Sequence, residues 1–134
     1  MSPKPAKTTP ATRADAVKRL DVAVHYAELA HFKAGDESSA ARNAAAGNAV
    51  LAGIAAGDAI CIVRLGCRSS SSDHGDAAIL LKQVDSNLAK SLSVLVGDKP
   101  TAHYGHAFIG VGALKSCLRA MDALLDAADR VLKL

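Results

Sequence analysis

Residues 43–57 (NAAAGNAVLAGIAAG) carry no charge, and the apolar pattern continues to Val63 with one interruption, Asp58. A run of this length, rich in Ala and closed by Gly66, is a helix that must be covered by others, and a chain built around it is all-α. Ile54 and Ile62 lie one turn to either side of Asp58, so the carboxylate shares their apolar face. A carboxylate there has to be paired or protonated, because desolvating it is costly. Asp58 is therefore both a constraint on packing and the first candidate functional residue. Either it pairs with a lysine, arginine or tyrosine across the bundle or at a subunit interface, or it orients a base or binds a ligand group.

The run from Ala44 to Val63 has the length of a membrane span. Its abundance of Ala and Gly, with Asn48 and Asp58 inside it, reads instead as the buried helix of a soluble bundle. The net charge of +3 comes from Lys4, Lys7 and Arg13; from residue 14 onward basic and acidic side chains balance. A general nucleic-acid binder carries a basic stripe, and this sequence shows none, so any RNA contact has to be local. Cys61, Cys67 and Cys117 are odd in number and lack metal-site spacing, which points to a reduced, cytoplasmic protein. The first residues hold no apolar stretch of the kind a signal peptide needs.

Residues 1–11, with three prolines and nothing to bury, read as a disordered tail ahead of a single helical domain over 12–134. Thr12 is placed to cap a first helix that runs to Ala34 and stops at Gly35, with Val17, Leu20, Val24 and Ala27 as its buried stripe. Asp36 is placed to cap the second helix, which ends at Leu65. Its Gly53 and Gly57 are spaced to let a neighbour approach closely. The third helix starts at Asp73 or His74 and ends at Gly97, on a stripe of Ala77, Leu81, Val84, Leu88, Leu92 and Leu95. A loop follows to about Gly112, with room for a short extra helix within 98–110. The last helix carries Leu114, Leu118, Met121, Leu125, Ala128 and Leu132. Four amphipathic helices on short connections predict an up-down four-helix bundle.

Two polar clusters accompany Asp58. Arg68 and His74 flank a run of serines between the second and third helices. An arginine beside a histidine can hold a phosphate and move a proton near neutral pH. Lys99, His103, Tyr104 and His106 crowd the later loop. His103 and His106 have no third ligand nearby, so no metal is expected, and nothing in the sequence asks for a cofactor. His25 and His31 fall on different faces of the first helix, as surface residues.

The segments Asn48–Cys61, Leu65–His74 and Lys99–Tyr104 together resemble the HEPN superfamily, and more narrowly the small stand-alone HEPN-domain proteins of actinobacteria. The resemblance spans residues 12–133. It implies a four- or five-helix bundle, usually a homodimer. It also implies a metal-independent RNase of the toxin–antitoxin or defence type, marked by an arginine and a histidine four to six residues apart. Arg68 and His74, with five residues between them, fit that spacing, and Asp58 fits the supporting polar residue of the second helix. Lys99, His103 and Tyr104 form a rival or second site, with lysine in place of arginine. The alternative function is a non-catalytic module that dimerises and binds a nucleotide or a partner protein such as an antitoxin. No membrane partner is expected.

Overall fold

The computed structural model describes residues 7–104 and 107–133, with backbone alone over 98–104. It is all-α with one small sheet. The elements in order are β1 (Thr8–Pro10), α1 (Arg13–Ala34), α2 (Ser39–Leu65), β2 (Cys67–Ser69), α3 (His74–Lys82), α4 (Ser86–Tyr104) and α5 (Val111–Lys133).

The central helix is α2, which packs against all four other helices. Its buried face is almost wholly Ala, Gly, Val and Ile. Although α2 is long and apolar enough to cross a bilayer, most of its apolar stretch is covered by the neighbouring helices. Because its side chains are short, α1 can lie close along it, and this decides which face of α1 turns inward. Ala16, Ala23, Ala27 and Ala30 are buried, whereas Val17 and Val24 are exposed. Of the stripe expected from the sequence, Ala27 is buried and Leu20 partly so. Two small-residue surfaces meet backbone to backbone, and the bulkier valines are left outside.

Helix ends follow local hydrogen bonding. Thr12 and Asp15 form a reciprocal capping box: Thr12 Oγ1 accepts from the Asp15 amide at 3.2 Å, and Asp15 Oδ2 accepts from the Thr12 amide at 2.9 Å. We expect Thr12→Ala to lower stability by about 1 kcal/mol, read as a shift in the urea midpoint at unchanged m-value. The cap of α2 is Ser38, whose Oγ accepts from the Ala41 amide at 3.1 Å. Asp36, the residue expected there, instead accepts from the Ser38 amide and shapes the turn before the cap, a bond that draws its pKa below the ordinary carboxylate value. Gly66 ends α2 in the left-handed region at φ 75°, its amide reaching back to the Ile62 carbonyl.

The third helix expected from the sequence is two helices. Asp73 caps α3 through the Gly75 amide, and α3 stops at Lys82. Asp85 then accepts from the amides of Asn87 and Leu88 at 2.8 and 3.0 Å and restarts the chain as α4. The apolar stripe survives the break: Leu81, Leu92 and Leu95 are buried, with Val84 and Leu88 packed against the core. α4 does not end at Gly97 but runs to Tyr104, so residues 98–104 extend this helix rather than form a separate one. At the far end, Arg42 and Asn43 of α2 hold the segment before α5: Asn43 Oδ1 accepts from the Ile109 amide at 2.9 Å, and Arg42 Nε donates to the Ile109 carbonyl.

The N-terminal segment also differs from expectation. Residues 8–10 form a strand antiparallel to β2, pairing Thr8 with Ser69, Thr9 with Arg68 and Pro10 with Cys67. The Ala11 amide donates to the Gly66 carbonyl and the Ser70 amide to the Lys7 carbonyl. No side chain of β1 is buried, so hydrogen bonding to the turn after α2 holds it rather than apolar burial.

Candidate functional site

The strand pair lies at the pole where α1 begins and α2 ends. There, Asp15, Lys18 and Arg19 of α1, Asp58 and Ile62 of α2, Thr9 to Ala11 and Arg68 line a cleft of about 490 Å³. The sequence places these groups together for separable reasons. The capping box starts α1 beside β1. The Ala16/Ala23 face sets Arg19 toward α2. The Ile54–Asp58–Ile62 face turns the carboxylate inward, and Gly66 turns the chain so that Arg68 returns over the end of α2.

Asp58 is 9% exposed, with Ile54 and Ile62 buried beside it. Its Oδ2 accepts a hydrogen bond from Arg19 Nη2 at 3.1 Å. Burial pushes the Asp58 carboxyl above its usual range; the charge and hydrogen bond of Arg19, and then the charge of Arg68, pull the other way. The pair is asymmetric: the Arg19 side chain is 35% exposed and the Asp58 side chain 11%. Arg19 Nε is buried without a hydrogen-bond partner among the described residues.

Asp15 has its pKa held below the ordinary value, chiefly by the Thr12 amide and hydroxyl and further by Lys18 and Arg68. Both carboxylates of the cleft are thus engaged by the protein. Arg68 makes one long bond, Nη1 to the Ser69 carbonyl at 3.4 Å. Cys61, one turn beyond Asp58, is a buried thiol pushed up to about 12 by burial, with Asp58 and Cys67 adding to the effect. It is packing material, not a nucleophile.

Of the residues singled out from the sequence, Asp58 and Arg68 meet in this cleft. His74 does not line it. It sits half-buried in the first turn of α3, just after the Asp73 cap. The side chains of Lys99, His103 and Tyr104, and the whole of His106, lie outside the described residues. His25 is exposed beside Asp21 and Glu28. His31 is half-exposed and bonds Asp122 of α5 at 2.9 Å. Among the described residues no three His, Cys, Asp or Glu side chains converge on a point where a metal could be held.

The sequence reading missed Arg19 and Lys18. The signal for Arg19 is positional: it lies three residues after Ala16 and four before Ala23, on the face that proves to be buried. A cation on that face and a carboxylate on the buried face of α2 are natural partners.

What the cleft offers chemically is three cationic side chains, Lys18, Arg19 and Arg68, with two carboxylates, Asp15 and the Arg19-paired Asp58. That is an oxyanion-binding arrangement. Comparison of the chain with protein-family models and with curated proteins gives no match.

Proposed function

We propose that this chain is a HEPN-type bundle protein whose polar cleft binds a phosphate-bearing ligand, RNA or a nucleotide. On this reading α3 and α4 count as one broken member of an up-down four-helix arrangement. The observation that carries it is the convergence on one cleft of Arg68 and Lys18 with Asp58, whose charge Arg19 already balances. Three cations against two carboxylates, Asp15 and Asp58, leave the cleft one positive charge in surplus. From residue 14 onward basic and acidic residues balance, so a ligand's charge is met locally rather than by a basic body.

The protein acts in the cytoplasm, where its three free thiols stay reduced. It works as a homodimer or with an antitoxin-like protein, and the exposed Leu29, Phe32 and Ile79 supply apolar surface for such contacts. Arg68→Ala is expected to weaken binding of a short RNA or a nucleotide by about tenfold or more, the usual loss when a charged hydrogen-bond donor is removed from a site. Titration by fluorescence anisotropy measures it. Binding equal to that of the unaltered protein would sink the assignment of this cleft.

One observation favours a second reading, cleavage of the bound RNA. β2, which carries Arg68, packs against α3, which begins with His74. His74 would take the proton of a ribose 2′-hydroxyl while Arg68 balances charge developing on the phosphate. RNA loss in the presence of EDTA, abolished by His74→Ala, is the result this requires; RNA left intact after long incubation assigns the cleft to binding alone.

A further inference from the structure

Resting on the reading that the cleft takes a phosphate-bearing ligand, we propose that the group it recognises is a phosphate monoester. This is the phosphate of a mononucleotide or the terminal phosphate of an RNA, not the internal phosphodiester of a continuous strand.

Size comes first. Asp15, Lys18 and Arg19 of α1, Asp58 and Ile62 of α2 and Arg68 of β2 line the cleft together with Thr9, Pro10 and Ala11. A volume of about 490 Å³ is that of a small-ligand site. A continuous strand would have to enter and leave, with further phosphates meeting further cations. From residue 14 onward basic and acidic side chains balance, and the surplus lies in Lys4, Lys7 and Arg13 alone, too few to meet the successive phosphates of a strand.

The donors agree. The lining holds three cations, Lys18, Arg19 and Arg68, against two carboxylates, Asp15 and Asp58, so one positive charge is in surplus; Arg19 is engaged by Asp58, which leaves Lys18 and Arg68 to meet a ligand. A monoester brings three terminal oxygens and about two negative charges at neutral pH, against two oxygens and one charge for a diester. Several cationic donors lining one cleft favour the former. Among the described residues no aromatic side chain lines the cleft, so base stacking, the common source of affinity for single strands, is not supplied by them. The phosphate itself must carry the selectivity.

The test uses the full chain and four probes: AMP, 3′,5′-cyclic AMP, and one short RNA bearing either a 5′-phosphate or a 5′-hydroxyl. AMP should bind roughly tenfold more tightly than cyclic AMP, and 5′-phosphorylated RNA more tightly than 5′-hydroxyl RNA by a similar factor. If AMP alone shows the preference, the natural ligand is a free nucleotide; if both pairs show it, the cleft reads chain ends. Lys18→Ala and Arg68→Ala should each remove most of the preference. It should also fade as pH falls through about 6, where a monoester takes up its second proton. Equal binding within both pairs, still lost in Arg68→Ala, overturns the monoester inference and leaves the phosphate-binding cleft standing. No binding of any probe removes both.

Discussion

Replacing Arg19 with Met should destabilise the fold by about 2–3 kcal/mol at neutral pH, and the loss should shrink as the solution is acidified. Breaking a buried ion pair from one side costs about 3–5 kcal/mol, because the remaining charge is stranded. Here Arg19 is 35% exposed at its side chain, so solvent screens part of the pair and the figure is discounted accordingly. The pH dependence follows from the direction of the Asp58 shift. Burial raises its pKa above the ordinary 3.8 even with Arg19 in place. The folded chain therefore holds this proton more tightly than the unfolded chain. The group's contribution to stability is complete below 3.8 and is lost as pH rises through the folded value. Without Arg19 the folded value climbs further and the loss at neutral pH deepens, while below 3.8 the variant and the parent converge. Urea unfolding over a pH series measures this. A loss as large in acid as at neutrality would show that packing by the arginine stem, not the stranded carboxylate, is responsible. The double variant Arg19→Met, Asp58→Leu should recover most of the stability, since a buried ion pair is often replaced by apolar side chains at little cost.

The Asp58–Arg19 pair also marks how far a single sequence can be read. That Asp58 lies on a buried apolar face followed from Ile54 and Ile62, one turn away on either side, and the structure buries all three. The starts of α1 and α3, the ends of α1 and α2, and the course of α5 were legible because caps and stops act within a few residues. Where the reading failed, the competing signals were of similar strength or the decisive contact was distant in the chain. Asp36 and Ser38 are both good caps, and Ser38 takes the role while Asp36 bonds the Ser38 amide. The break at 83–85 left no trace in the apolar stripe, because α3 and α4 cover the same side of the core; the mark was Asp85, two and three residues before the amides it accepts from. The inward face of α1 was misjudged because valine outranks alanine in hydrophobicity. Contact with the Ala- and Gly-rich α2 rewards the smaller residue. The same misjudgement hid Arg19, which lies on the alanine face. β1 was illegible for another reason: its side chains are exposed, and main-chain pairing leaves no mark on hydrophobic patterning. The cleft is thus half readable, Asp58 and Arg68 from local pattern, Arg19 and the β1 rim only from the fold.

The two glycines spaced as a close-contact pair on α2 should respond in opposite directions to substitution. A Cβ at Gly53 would overlap Leu95 Cδ1 and press Leu124 Cδ1 at 3.3 Å. Both leucines are fully buried, so neither can swing aside into solvent. Gly53→Ala gains up to about 1 kcal/mol of helix propensity against an overpacking cost of about 1–3 kcal/mol, a net loss of about 1 kcal/mol. Gly53→Val adds a second and third branch atom to the same contact and should lose about 3 kcal/mol. At Gly57 a Cβ would meet Leu92 Cδ2 at 3.4 Å and Leu81 Cδ2 at 3.7 Å, which is ordinary van der Waals contact. Gly57→Ala should therefore stabilise the chain by up to about 1 kcal/mol, through the stiffer unfolded chain and the filled contact. Urea midpoints of the three variants at constant m-value decide the matter. If Gly53→Ala and Gly57→Ala shift stability alike, propensity alone governs this helix, and the close approach of α4 and α5 at Gly53 is not what requires a glycine there.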